Sequence, residues 1–267
     1  MNIEASGRPR PVSNGMKRPR AVIFDLDNTL ARSFEAPALE MSQGLENILR
    51  RIPVAVMSAA SFERIEKHLL PGFSVSADKN RLYLFPVNGA GCYTWENGAW
   101  RPQYHFEFTS EERARILAAL KGSVEETGVG AESPKYGKQV VDYDGYIAFT
   151  ALGLDAPREE KIAWDPDGSK RRTLRESLQK KIPDFDVYIG GTTSIDIMCK
   201  GVNKSYGVMW LAKHLGVEPS DMLFVGDALY PGGNDVVVIP TGVQTIQVAG
   251  PHETETVIEE ILKACSG

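Results

Sequence analysis

Two stretches of this chain, one opening at Ala21 and the other at Lys204, alternate short apolar runs with helical segments. In the first, Ala21–Asp25 is an apolar run that ends in acidic and polar residues, and a helical pattern covers Ala38–Arg51. Val54–Met57 is a second buried run, Ser61–Leu70 a second helix with Ser61 as its N-cap, and Arg81–Val87 a third strand. The second stretch gives a helix after Lys204, strands at Met222–Gly226 and Thr245–Val248, and a helix from Glu253. Strands and helices in alternation specify a parallel sheet with helices on its faces.

The residues between follow a different pattern. Tyr93–Trp95 and Ala99–Trp100 flank Glu96-Asn97-Gly98, and Gln139–Tyr143 and Tyr146–Leu152 flank Asp144-Gly145, which are two hairpin signals. Thr109-Ser-Glu-Glu112 is a capping-box pattern opening a helix to about Lys121. A second helix covers Lys170–Lys181, with strands at Asp186–Gly190 and Ser194–Cys199. The predicted fold class is therefore α/β: a Rossmann-like parallel-sheet core, 21–92 and 199–267, carrying an inserted α+β cap domain, 93–198. Residues 1–20, with three prolines and five cations, have no apolar periodicity and read as a disordered leader.

Composition removes several functions. No apolar run approaches the roughly 20 residues that span a bilayer, and the leader lacks the apolar segment of a secretory signal. A net charge of −5 is the wrong sign for a general nucleic-acid binder. Cys92, Cys199 and Cys265 are too few and too scattered for a disulfide framework or a zinc site, so a reducing cytoplasm is expected.

In open parallel sheets ligands bind beyond the carboxyl ends of the strands. Asp25-Leu-Asp27-Asn-Thr29 follows the first strand, Ser58 the second, and Gly226-Asp227 with Pro231-Gly-Gly-Asn-Asp235 a later one, while Lys204 opens a helix. Acids, a hydroxyl and a lysine gathered on one rim suit phosphoryl transfer, where positioning and charge neutralisation dominate. A carboxylate can hold a covalent phosphoryl group, and Asp25 and Asp227 can supply the oxygen ligands that magnesium prefers. A second acid two residues past the nucleophile can protonate the leaving alkoxide and then activate water, and Lys204 and Ser58 can stabilise the remaining phosphoryl oxygens. Taken singly, Asp25–Thr29 reads as an Asx-type loop, Ser58 as a helix N-cap and Lys204 as a solvated lysine. Their order along the chain favours the functional reading.

These residues carry a resemblance. Phe24-Asp-Leu-Asp-Asn-Thr-Leu30, Ser58, Lys204 and Gly226-Asp227 are similar to the four motifs of the haloacid dehalogenase superfamily, and the insert is placed like its large type-two (IIB) cap. More closely, the chain resembles the eukaryotic-type phosphomannomutases through Ser61-Phe-Glu-Arg64, Phe85-Pro-Val-Asn-Gly89, Gly190-Gly-Thr-Thr-Ser-Ile-Asp196, Gly201-Val-Asn-Lys204 and Phe224–Asp235. The resemblance implies Asp25 as nucleophile, Asp27 as general acid/base, and Mg2+ held by Asp25, Asp227 and the carbonyl of Asp27. It implies Ser58 and Lys204 as phosphoryl-stabilising groups, and Thr29, Ser194, Asp196 and Asn234 as substrate contacts. Thr192, Thr193, Ser194 and Asp196 also read as the polar face of a strand. Ser58 fits the superfamily pattern, whereas the phosphomannomutase serine falls nearer Ala60.

Two departures bear on activity. The family's cap arginines, which grip a second phosphate, fall on Tyr136, Tyr143 and Leu154; Arg32, Lys135, Lys138 and Arg158 lie nearby but off register. The second-metal loop of the mutases is poorly matched around Ile239–Thr245. The expected function is a Mg-dependent phosphatase of small phosphorylated metabolites, sugar phosphates among them, with phosphomannomutase as the alternative. A receiver-like signalling module is disfavoured because Asp25 follows the first strand and a large cap is present. No Gly-x-Gly-x-x-Gly follows a strand, which disfavours a dinucleotide site.

Overall fold

Residues 17–266, other than 34 and 232, are described by a computed structural model. Most of the expected leader, 1–16, lies outside the described residues. Its last four residues are tied down: Lys17 Nζ bonds Asp221 Oδ1 at 2.5 Å and the Arg20 N–H donates to the Asp221 carbonyl at 2.7 Å. Two compact units form, one from the chain up to Gln103 together with Lys204 onward, the other from Tyr104–Asn203.

The first unit opens with β1 (Ala21–Asp25), wholly buried, then α1 (Leu39–Leu49), β2 (Val54–Met57), α2 (Phe62–Leu69) and β3 (Leu82–Phe85). Ser61 caps α2 as expected, accepting the Arg64 N–H at 3.4 Å. The hairpin β4 (Gly91–Glu96) and β5 (Ala99–His105) turns through Asn97 (φ 51°) and Gly98 (φ 81°), the left-handed pair its sequence calls for. β4 pairs antiparallel with β3, and Phe62 stacks on Tyr93 with ring centroids 4.1 Å apart. Those contacts make the hairpin an extension of the large sheet, not part of the insert as its antiparallel pattern suggested. The insert therefore begins at Tyr104 instead of residue 93.

Within the second unit, α3 (Ser110–Thr127) starts at the expected capping box, Thr109 N–H to Glu112 Oε2 at 2.8 Å and Glu112 N–H to Thr109 Oγ1 at 3.2 Å. It runs past Lys121 to a left-handed Gly128. β6 (Val140–Tyr143), β7 (Tyr146–Thr150), α4 (Arg158–Trp164), α5 (Ser169–Lys181), β8 (Phe185–Ile189) and β9 (Ser194–Cys199) complete it. The helix α4 buries no residue, so it left no apolar pattern to read. The strands form an antiparallel sheet in the order β6-β7-β9-β8. Ile147, Phe149, Ile195 and Ile197 pack with Ile116, Leu120, Leu174 and Leu178 of α3 and α5. Strand alternation then puts Tyr146, Ser194 and Asp196 on the opposite face. Asn203 Nδ2 donates to Tyr188 Oη at 3.0 Å and the Gly201 N–H to Asp186 Oδ2 at 2.8 Å. Those bonds keep residues beyond the expected limit, 198, in this unit.

The chain returns to the first unit as α6 (Lys204–Leu215), β10 (Met222–Gly226), β11 (Gln244–Gln247) and α7 (Pro251–Ala264). The sheet order is β11-β10-β1-β2-β3-β4-β5, with β1 parallel to both β10 and β2. Val22, Phe24, Val54, Val56, Leu223 and Val225 face α1, α2 and α7 in one apolar cluster. On the other face, a Cβ added at Gly207 of α6 would come within 2.8 Å of Met57 Cε, so this glycine lets the helix lie close on the sheet. All three cysteines are free thiols, and no described helix is long and apolar enough to cross a membrane.

Candidate active site

Asp25 ends the central strand. It pairs in register with Met57, whose side chain lies against α6, so strand geometry turns Asp25 toward the helix that Lys204 opens. Lys204 Nζ sits 2.5 Å from Asp25 Oδ1 and 2.6 Å from Asp235 Oδ1, and is 1% exposed. The solvated reading of Lys204 is thereby overturned. Asp235 is fully buried, and its Oδ2 accepts the Ala228 N–H at 3.1 Å.

The resemblance places Asn234 at the substrate. The structure leaves Asn234 exposed and turns its neighbour Asp235 inward. Gly-Gly-Asn-Asp marks a turn, but adjacent polar residues give no period that picks out the inward one. A Cβ on Gly226 would collide with Asp235 Oδ2 and come within 2.8 Å of the Phe224 ring, so glycine is required for this approach.

Ligand atoms of Asp25, Asp227 and Asp235 lie within 4.8 Å of one another. Burial, with Asp235 and Asp227 nearby, pushes Asp25 up to about 7 against the pull of Lys204. Burial and Asp235 likewise raise Asp227. Burial alone would depress Lys204, but Asp235 and Asp25 reverse this and hold it above its ordinary value. Three carboxylates share one ammonium. An all-oxygen donor set with surplus negative charge fits a hard divalent cation such as Mg2+.

Asp27 lies at the rim. Arg64 Nη2 donates to its Oδ1 at 2.7 Å and Ser58 Oγ to its Oδ2 at 3.3 Å, while Ser58 Oγ accepts the Ala60 N–H at 3.0 Å. Ser58 therefore reaches Asp27, and the cap of α2 belongs to Ser61. The sequence does not mark Arg64 for this contact, because an arginine at the third position of a helix carries no signal by itself. Thr29, expected at the substrate, is wholly buried, and its carbonyl accepts from Thr254 Oγ1 at 2.8 Å. Its neighbour Asn28 takes φ 61°, folding the loop back so that the Asn28 N–H reaches the Ala31 carbonyl at 2.6 Å.

In the second unit Ser194 and Asp196 occupy the helix-free face of β9. Burial raises Asp196 to about 6, against a hydrogen bond from Tyr146. A Cβ on Gly190 would come within 2.9 Å of that carboxylate. Arg171 holds the preceding turn, bonding the Gly190 carbonyl at 3.3 Å, the Gly191 carbonyl, and Asp165 Oδ2 at 2.8 Å. The three positions at which the resemblance expects arginines carry other side chains. Tyr136 Oη donates to Glu160 Oε1 at 2.8 Å, Tyr143 stacks on Tyr146 with centroids 6.2 Å apart, and Leu154 is exposed.

A carboxylate at the end of β1, the middle one of the five parallel strands, an acid two residues on, and a lysine and further acids beside them are the arrangement of an enzyme of the haloacid dehalogenase type. Solved structures agree in fold. An IMP-nucleotidase of Plasmodium falciparum superposes with a TM-score of 0.69 at 16% identity, covering 94% of this chain and 69% of that one. A haloacid dehalogenase-like hydrolase from Bacteroides thetaiotaomicron gives 0.61 at 13%, covering 91% and 99%. A probable phosphomannomutase of Caenorhabditis elegans is 24% identical over 254 residues, 91% of this chain and 95% of its own length. The model of the family "Eukaryotic phosphomannomutase" matches residues 41–264. This chain belongs to that family.

Proposed function

We propose that this enzyme is a magnesium-dependent phosphotransferase working through an aspartyl-phosphate on Asp25, with hydrolysis of small phosphorylated metabolites, sugar phosphates among them, as its main outcome. The observation that carries the chemistry is the buried Lys204 shared between Asp25 and Asp235 beside Asp227. Asp25 attacks phosphorus while the bond to the leaving oxygen breaks and Asp27 supplies that oxygen with a proton. Asp27 then takes a proton from water, whose oxygen attacks phosphorus, freeing phosphate and restoring Asp25. Lys204 keeps the Asp25 carboxylate aimed and offsets part of its charge; Ser58 and Arg64 hold Asp27. Asp25, Asp227 and the carbonyl of Asp27, with Asp235 behind them, are the groups that would hold Mg2+, which would neutralise charge on the phosphoryl oxygens. The free thiols fit a reducing compartment such as the cytoplasm.

What favours hydrolysis is the cap. A mutase must grip a second phosphate dianion, and arginine forks do so with paired, charge-assisted bonds about twice as strong as neutral ones. Tyr136 already serves Glu160, Tyr143 offers one neutral hydroxyl, and Leu154 offers no side-chain donor. Family membership favours the second reading, phosphomannomutase, with Lys135, Lys138 or Arg158 as the gripping cations. Following mannose 1-phosphate by phosphorus NMR separates the two. Inorganic phosphate accumulating with little response to a hexose bisphosphate is the expected result. Bisphosphate-stimulated mannose 6-phosphate, formed much faster than phosphate, would make the mutase reading correct.

A further inference from the structure

At the amino ends of the strands, the end of the sheet away from Asp25, a cavity of about 450 Å³ is lined by Arg18, Arg20, Arg51 and Arg81, and its other lining residues, Ile52 and Leu215 among them, are all apolar. Among the described residues, no carboxylate lines it. Asp221 is not among the lining residues; its carboxylate takes Lys17 and feels the charge of Arg20, and its backbone carbonyl accepts the Arg20 N–H.

Two of the arginines are held in place by neutral acceptors. Arg81 donates from Nη1 to the Leu49 carbonyl at 3.2 Å and from Nη2 to the Arg51 carbonyl at 2.9 Å. Arg51 donates from Nη1 to the Leu262 carbonyl at 2.7 Å. Carbonyls fix a guanidinium without cancelling its charge, and an arginine has five N–H donors, so these two keep several for a ligand. The Arg81 bonds also cover carbonyls at the carboxyl end of α1, whose dipole would otherwise repel an anion. The cavity volume falls within the roughly 300–1,000 Å³ of small-molecule sites. β1 runs five residues, so about 13 Å of strand separates this cavity from Asp25.

We propose that this cavity is a second anion site, distinct from the active site, and that it takes an organic polyphosphate: phosphates on the arginines, an apolar body on the remaining lining. The inference is independent of whether the active site hydrolyses or isomerises its substrate. The probes are inorganic tripolyphosphate and ATP, titrated calorimetrically in chelator into full-length Asp25→Asn protein so that neither is turned over. One equivalent of each should bind, ATP the tighter because only it can cover apolar surface. The double charge reversal Arg18→Glu/Arg20→Glu in the same background should weaken both by about tenfold or more, a loss of ~1.4 kcal/mol or more. In the otherwise native chain, that double variant should leave phosphomonoester turnover in the absence of added polyphosphate unchanged, showing that the fold is intact. Raising salt from roughly 50 to 300 mM should weaken binding further. Absence of binding, binding indifferent to the charge reversal, or displacement of the probe by mannose 1-phosphate would overturn the site. ATP binding no tighter than tripolyphosphate would overturn the assignment of an organic body.

Discussion

Arg64 donates from Nη2 to Asp27 Oδ1 across 2.7 Å, linking the amino end of α2 to the loop after β1. Ser58 Oγ takes the other carboxylate oxygen at 3.3 Å, so Asp27 is held from two elements at once. Arg64 and Asp27 are each about a quarter exposed, and pairs of that kind contribute roughly 0–1 kcal/mol to stability. The value of this one lies in orientation.

Arg64→Ala should therefore lower kcat far more than it lowers the melting temperature. Misplacing a reacting group by about 1 Å can cost on the order of 100-fold, and Arg64→Lys, which keeps one charged donor, should recover part of the loss. KM should move little. Steady-state kinetics beside a thermal melt would check this; an alanine variant with native kcat would remove Arg64 from the mechanism.

Three carboxylates around one ammonium make the metal-free site electrostatically strained, and binding of Mg2+ should show in stability. A ligand at about 100 times its Kd stabilises by ~2.7 kcal/mol, which for a chain of this size is several degrees. Asp227→Asn should be no less stable than the parent without metal, since it removes surplus charge, yet should lose most of the magnesium-induced rise. Melting curves with and without magnesium test both halves. A full magnesium response in Asp227→Asn would take that residue out of the ligand set.

Gly226→Ala should damage folding and activity together. The added Cβ meets Asp235 Oδ2, and Asp235 cannot retreat easily because Lys204 and the Ala228 N–H hold its two oxygens. Overpacking of a rigid site costs typically ~1–3 kcal/mol. Denaturant unfolding should register that loss. A variant of native stability and turnover would mean that Asp235 moves freely.

Much of this was readable in sequence where one local rule sufficed. β10 falls on its expected residues because an apolar run bounded by polar residues sets both ends, and Thr109–Glu112 announced α3 because a capping box satisfies orphan N–H groups reciprocally. Distant pairings were harder. The hairpin around Asn97-Gly98 was recognised, but that Tyr93 stacks on Phe62, and so joins the core sheet, is a tertiary fact. Asp144-Gly145 also marks a turn, though for a different reason: Gly145 has no positive φ, and a Cβ there would collide with the Phe106 carbonyl. In the site, Asp25 and Lys204 followed from strand ends and helix starts. The choice between Asn234 and Asp235 depended on which side chain the loop turned inward, and adjacent polar residues give no period to decide it.

Asp196 offers a test that joins stability to function. Burial raises its carboxyl to about 6, whereas an unfolded aspartate titrates near 3.9. The fold thus binds this proton more tightly than the unfolded chain does, and the linkage has one sign: stability falls as pH rises from about 4 to about 6, and the full cost of the ionised carboxylate is present above that. Two pH units correspond to ~3 kcal/mol at most, and partial exposure of the side chain brings the expectation down to about 1–2 kcal/mol. An asparagine at this position would carry no charge and could still accept from Tyr146, so Asp196→Asn should melt a few degrees above the parent at pH 7.5 and level with it near pH 4. A carboxylate on the helix-free face of this sheet has one candidate use, in substrate recognition. If that use is to accept hydrogen bonds from substrate hydroxyls, the same variant should lose kcat/KM at pH 7.5 on a sugar phosphate while retaining turnover of a small aryl phosphate that has no such hydroxyls. Stabilisation with unchanged sugar-phosphate kinetics would leave Asp196 a structural cost and take it out of substrate recognition. A variant less stable than the parent at pH 7.5 would show that the carboxylate is better solvated than its position beside β8 suggests.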